Sequence, residues 1–135
     1  LLKVLCEMGH SDRICIGDGN FPGAAMAKAK GAIFLRADGH GVPELLDAIL
    51  QVIPLDTYVD TPAMIMEVGE QDKGLEIPIW NTYKEIIAKY SRTRTHQAAT
   101  TESFGRGFSE GALQQDVTVG GATVFVLSVD SMDKY

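Results

Sequence analysis

Two polar, glycine-containing stretches hold most of the side chains that could do chemistry. The first carries His10, Asp12, Asp18 and Asn20, within Met8-Gly-His-Ser-Asp12 and Gly17-Asp-Gly-Asn-Phe-Pro22. The second carries Arg36, Asp38 and His40, within Arg36-Ala-Asp-Gly-His40. A histidine near a carboxylate can exchange protons near neutrality, because an unperturbed imidazole titrates at about 6.5. His10 and Asp18 are therefore candidates for acid–base work. Each also has a simpler reading. His10 follows a glycine that stops a helix, which suits a cap or a surface histidine. Asp18 lies between two glycines, as a turn selects, and Asn20 tolerates the left-handed backbone of such turns. Arg36 and Asp38 suit an ion pair that braces their loop. His40 reads as solvent-facing, and His96, in a polar aperiodic stretch, receives no role.

Other chemistries fit poorly. Neither G-x-x-x-x-G-K-[ST] nor G-x-G-x-x-G occurs, so phosphate and dinucleotide cradles are not indicated. H-E-x-x-H, C-x-x-C and G-x-S-x-G are also missing. Cys6 and Cys15 make neither a disulfide framework nor a four-ligand zinc site. Met64 and Met66 alternate along one strand face, where packing explains them better than metal binding. The net charge is −6, from 12 Lys plus Arg against 18 Asp plus Glu, with no basic stripe. Such a chain is a poor nucleic-acid or anionic-membrane binder. With 135 residues, no apolar run of membrane-spanning length and no signal-peptide pattern, it reads as one reduced, cytoplasmic domain over residues 1–135. It opens with Leu inside an apolar pattern, which predicts a preceding segment.

The elements that must position these residues follow from periodicity. Leu1, Leu2, Leu5 and Met8 recur at helical spacing, with Gly9 as the expected stop. Arg13–Gly17 and Ala32–Arg36 read as strands, each followed by one of the two polar loops, with a short helix over Ala24–Lys30 between them. Val42–Ile53 is the clearest helix: Pro43 and Glu44 suit its first turn, one apolar stripe runs from Leu45 to Ile53, and Pro54 ends it. Ala63–Val68 reads as a strand, and Pro78 opens a helix whose stripe is Ile79, Tyr83, Ile86, Ile87 and Tyr90. The helical signal weakens after Ser91. Val117–Val119 and Val124–Val129 read as strands around a Gly120-Gly121 turn. Strands alternating with helices predict an α/β sheet covered on both faces.

Four segments in order carry a further signal: Met8-Gly-His-Ser-Asp12, Gly17-Asp-Gly-Asn-Phe-Pro22, Arg36-Ala-Asp-Gly39 and Pro54-Leu-Asp-Thr-Tyr58. Together they closely resemble the L-fucose mutarotase and D-ribose pyranase family, across roughly residues 1–90. The Arg36-Ala-Asp-Gly39 and Pro54–Tyr58 segments look like its fucose mutarotase branch. The resemblance implies a three-layer α/β/α domain with a central mixed sheet, assembled into homo-oligomeric rings, often decamers, with a sugar site at the subunit boundary. It implies interconversion of the anomers of a free monosaccharide, L-fucose foremost, without cofactor or metal. By resemblance His10 matches the catalytic histidine and Asp18 a sugar-binding aspartate. Arg36 and Asp38 match loop and interface positions near the site, and Asn20 is a further contact candidate. The C-terminal third departs from the family's Y-G-N motif. Placing Gly120 on the family's turn glycine puts Phe125 at the tyrosine, whereas placing Tyr135 there requires an insertion.

Mutarotation asks little of a protein. A proton leaves the anomeric hydroxyl, another reaches the ring oxygen, the hemiacetal opens, and rotation about C1–C2 precedes reclosure. One histidine and a polar partner suffice, each positioned group contributing about 10²–10⁴-fold. The expectation is a carbohydrate mutarotase. The alternatives are a sugar-binding homologue that has lost its C-terminal tyrosine and a small oligomeric scaffold without ligand.

Overall fold

Val42–Val52 forms a helix because its apolar side chains recur on one stripe, and Leu46, Ile49 and Leu50 are buried there. Pro43 occupies the first turn, where a missing N–H costs nothing, and Glu44 faces the positive end of the helix. Pro54 ends it through its neighbour. Ile53 is forced to extended backbone, with φ −125° and ψ 130°, as a residue before proline must be. The computed structural model describes residues 1–56, 62–66, 74–94 and 124–128, with 91–94 and 124–128 by backbone alone.

In chain order the described elements are α1 (Leu2–Glu7), β1 (Arg13–Gly17), α2 (Gly23–Lys30), α3 (Val42–Val52), β2 (Ala63–Ile65), α4 (Ile79–Arg94) and β3 (Val124–Ser128). The sheet order is β1-β3-β2, so the strand from the far end of the chain lies in the middle. Both ladders are antiparallel. Ile16 pairs with Phe125, which pairs in turn with Ile65; Ile14 pairs with Leu127, which pairs with Ala63. A parallel pairing, which a mixed sheet requires, does not occur among the described residues.

Alternation along the strands decides where the core lies. Ile16, Ala63 and Ile65 are buried while Arg13, Cys15 and Gly17 are exposed. The buried strand residues form one cluster with Leu5 of α1, Leu46, Ile49, Leu50 and Ile53 of the α3 region, and Tyr83 and Ile87 of α4. An antiparallel sheet can pack one face and leave the other open, and this pattern fits that behaviour. Asp47 ties α3 to α4 at the surface. Its Oδ1 accepts hydrogen bonds from Lys89 Nζ at 3.0 Å and Tyr90 OH at 2.9 Å, and its Oδ2 accepts one from Gln51 at 2.7 Å.

Several expectations change. Ala32–Arg36 forms no strand ladder among the described residues, and Ile33, Phe34 and Leu35 are exposed. Strand propensity measures fit to a half-buried pleated surface, and no such surface receives this run in the single chain. The strand expected over Ala63–Val68 is described only as Ala63–Ile65, with Met66 outside the ladder. Ile79, expected on the apolar stripe of α4, is exposed in its first turn. That helix also continues past Ser91 to Arg94. Gly31, with φ 64°, closes α2 in the left-handed region, and Ala32 N–H reaches the Ala27 carbonyl at 2.9 Å. The expected strand Val117–Val119 and its Gly120-Gly121 turn lie outside the described residues.

Two stability tests follow from this packing. Leu46→Ala should lower the unfolding free energy by about 2–5 kcal/mol in denaturant titration, since Leu46 is fully enclosed. The Asp47 carboxyl is held below the usual carboxylate range, chiefly by the hydrogen bond from Lys89 and then by that from Tyr90. A depressed folded-state value makes this contribution complete above the ordinary carboxylate range and lost as pH falls through the folded-state value. Thermal melts of Asp47→Asn should therefore depend less steeply on pH at the acid end than those of the parent.

Candidate active site

The site begins where α1 gives way to β1. The helix ends at Glu7, and Met8 turns extended at φ −74° and ψ 146°, so the stop comes one residue before the expected Gly9. The residues Gly9–Asp12 then form a tight turn. Asp12 N–H donates to the Gly9 carbonyl at 3.1 Å, and the Asp12 carboxylate accepts Gly9 N–H at 2.8 Å. His10 and Ser11 occupy its tip. The left-handed residue is Ser11, at φ 68°, where a glycine would be easier to accommodate.

His10 is half open to solvent. Its side chain is 49% exposed, and its Nδ1 lies 3.8 Å from Oδ1 of Asp56, whose own side chain is 0% exposed. A carboxylate taken out of water is costly unless it is partnered. Among the described residues no buried side-chain nitrogen or oxygen lacks a partner. At 3.8 Å the two groups are beyond a hydrogen bond but within ion-pair reach when the imidazole carries a proton. Asp56 thus places a buried carboxyl group behind an imidazole that faces solvent. Sequence reasoning did not single it out: Asp56 lay within the Pro54–Tyr58 segment, quoted for its pattern and not for its carboxylate. The available signal was an acidic residue two positions after a proline that ends an apolar helix.

β1 carries the chain to the second candidate. Asp18, partly buried, closes the following loop: its Oδ1 accepts Asn20 N–H at 2.9 Å and its carbonyl accepts Phe21 N–H at 3.1 Å. The turn-forming reading of Asp18 is thus realised, and it leaves the carboxylate facing the loop. Asn20 contributes its backbone amide, while its side chain is exposed. Phe21 folds back over the end of the strand. A Cβ at Gly17 would lie 2.6 Å from Phe21 Cδ1, and one at Gly23 would lie 2.9 Å from Phe34 Cε2. Two glycines therefore let two aromatic rings lie against the backbone on either side of Asp18.

Arg36 and Asp38 pair with each other. Nε of Arg36 donates to Oδ2 of Asp38 at 2.7 Å, both side chains being exposed, and this bond raises the proton affinity of the guanidinium further. His40 Nδ1 lies 3.2 Å from Oε1 of Glu44, one helical turn on. The structure thus brings His10 to Asp56 and Arg36 to Asp38. Tyr135 lies outside the described residues. Phe125, the other candidate for the tyrosine position, is in register with Ile16 and Ile65 in the sheet. Among the described residues no three His, Cys, Asp or Glu side chains gather as metal ligands, and no helix is long and apolar enough to cross a membrane.

A half-exposed imidazole 3.8 Å from a buried carboxyl group thus lies before β1, and the glycine loop closed by the Asp18 carboxylate lies after it. Residues 1–113 match the RbsD / FucU transport protein family, and the chain belongs to that family. It is 46% identical over 91 residues to the fucose mutarotase of Bos taurus, covering 66% of this chain and 59% of the relative. It is 42% identical over 72 residues to the L-fucose mutarotase of Haemophilus influenzae, covering 53% of this chain and 47% of the relative. The chain therefore spans only about half to three-fifths of these relatives' lengths. Among solved structures, FucU from Bifidobacterium longum superposes with a TM-score of 0.73 at 36% identity, covering 96% of this chain and 90% of that one. The fucose mutarotase of Streptococcus pneumoniae in complex with L-fucose gives 0.70 at 29% identity, covering 96% and 89%.

The packing around Asp18 yields a test. Gly17→Ala must displace the Phe21 ring, at a cost of about 1–3 kcal/mol in stability. The Phe21 ring resonances should shift in NMR spectra and the Asn20 amide should lose its hydrogen-exchange protection.

Proposed function

We propose that this protein is a mutarotase that interconverts the anomers of a free monosaccharide, L-fucose foremost, by acid–base opening and closing of the ring. The observation that carries the reading is the 3.8 Å approach of the half-exposed His10 to the buried Asp56 carboxylate. Relatives named as fucose mutarotases, and a similar structure bound to L-fucose, support the choice of sugar. In this reading the His10 imidazole takes the proton of the anomeric hydroxyl. The imidazolium so formed, beside Asp56, gives that proton to the ring oxygen as its bond to C1 breaks, leaving an aldehyde and a free hydroxyl. After rotation about C1–C2 the imidazole takes the proton back as the hydroxyl re-adds to C1 and returns it to the new anomeric oxygen. Asp18 accepts hydrogen bonds from sugar hydroxyls, which a carboxylate does more strongly than a neutral oxygen. Arg36, Asp38 and Asn20 belong to the surrounding loops, and Tyr135 is the tyrosine candidate from the C-terminal segment.

The wider proposal is a single three-layer α/β/α domain with a central mixed sheet, assembled as a homo-oligomer, a decamer foremost. Its support within the chain is the exposed run Ile33-Phe34-Leu35, apolar surface that a second copy could cover. Free Cys6 and Cys15 suit a reducing compartment, the cytoplasm in this reading.

Saturation-transfer NMR on equilibrated L-fucose tests the activity directly, since it reads exchange between the two anomers. The parent should exchange them faster than buffer, and His10→Ala should lower that rate by at least ~10²-fold with melting unchanged. Asp18→Asn keeps the oxygen that accepts the Asn20 amide, so it should fold normally yet weaken sugar binding by about 1–3 kcal/mol in calorimetry. A parent that binds fucose without accelerating exchange would instead be the non-catalytic sugar-binding homologue.

A further inference from the structure

The tip that carries His10 is an unusual piece of backbone. Ser11, beside it, sits at φ 68° without being glycine, so something must hold the turn in that shape. The two groups that hold it come from one residue. Asp12 gives its N–H to the Gly9 carbonyl at 3.1 Å and takes the Gly9 N–H on its carboxylate at 2.8 Å. These bonds close the chain on both sides of His10. The carboxylate bond also satisfies the Gly9 amide, which lies beyond the end of α1. Asp12 in turn adjoins Arg13, the first residue of β1, which is paired with Ser128 in the sheet. The turn is therefore continuous with a strand of the sheet.

The distance between His10 and Asp56 gives this arrangement a consequence. At 3.8 Å the imidazole is at the margin of its contact with the buried carboxylate, so a small shift of the turn decides how the two engage. Displacements near 1 Å can change a catalysed rate by about 10² when they misplace a reacting group.

We propose that Asp12 is a positioning residue for His10: its paired hydrogen bonds to Gly9 lock the strained turn that aims the imidazole between Asp56 and the ligand. The proposal rests on the mutarotase reading for what His10 does, and on the turn alone for where His10 is held. Asp12 itself touches neither sugar nor proton in this assignment. Replacing it should affect turnover and leave sugar affinity intact.

The test compares Asp12→Ala with Asp12→Asn. The asparagine keeps an oxygen for the Gly9 amide and loses only the charge. Anomer exchange of L-fucose is measured by saturation-transfer NMR across sugar concentrations. Gly9 amide exchange and the His10 ring linewidth are recorded on the same sugar-free proteins. Asp12→Ala should lower kcat by about 10- to 100-fold with KM within about twofold, and Asp12→Asn should recover most of it. The alanine variant should also expose the Gly9 amide and sharpen the His10 ring line. Parental kcat in Asp12→Ala overturns the proposal, as does a loss shared equally by both variants and matched by lost folded protein. A parent that shows no exchange above buffer refutes the mutarotase reading instead. In that case the sugar-free spectra decide: a His10 ring and Gly9 amide unchanged by Asp12→Ala overturn the positioning role, and their loosening upholds it.

Discussion

Both ladders of the sheet pass through β3. β1 and β2 do not pair with one another, so in this sheet their ladder-facing backbone groups are satisfied by a strand from the other end of the chain. That pairing aligns Ile16 with Ile65, and Ile14 with Ala63, on the side where the helices pack. It also decides what lies at the two ends of β1: the turn bearing His10 before it and the loop bearing Asp18 after it. The candidate site is thus held by a contact of long sequence separation. Such contacts form only after a large loss of chain entropy, and the apolar burial of the helices offsets that loss.

Burial of Asp56 sets the electrostatic character of the site. A carboxyl group withdrawn from water is tolerated when partners surround it, and interactions there are screened little by solvent. Pro54 contributes to this placement, because it forces Ile53 into extended backbone and directs the chain away from the helix axis toward the turn at His10. The histidine remains half exposed. One side of the pair is therefore enclosed and the other accessible. The Arg36–Asp38 and Asp47–Lys89 pairs lie in high dielectric at the surface, where ion pairs contribute little beyond fixing local geometry.

Local chemistry was readable residue by residue. Gly17, Asp18 and Asn20 announced a turn, and the structure shows the Asp18 carboxylate closing it on the Asn20 amide. Arg36 and Asp38 announced a pair, and they form one. Ala32–Arg36 misled because its β-branched and aromatic residues describe a surface that wants covering, and the single chain leaves that run exposed. Asp56 was overlooked for the opposite reason. An aspartate two residues after a helix-ending proline looks like ordinary punctuation until the fold removes it from solvent.

The sequence by itself determined the elements with strong periods and sharp stops: α3 with its stripe and Pro54, the apolar side of α4, the short strands at 13–17 and 124–128, and the glycine loop around Asp18. These depend on interactions within a few residues, which spacing records. Only the tertiary structure decided that the C-terminal strand is central, that Ser11 and not Gly9 takes the left-handed backbone, and that Asp56 stands 3.8 Å from His10. Each of these depends on groups distant in sequence meeting in space, and on backbone geometry that the surrounding packing over-determines. Neither is encoded in the period of any single segment.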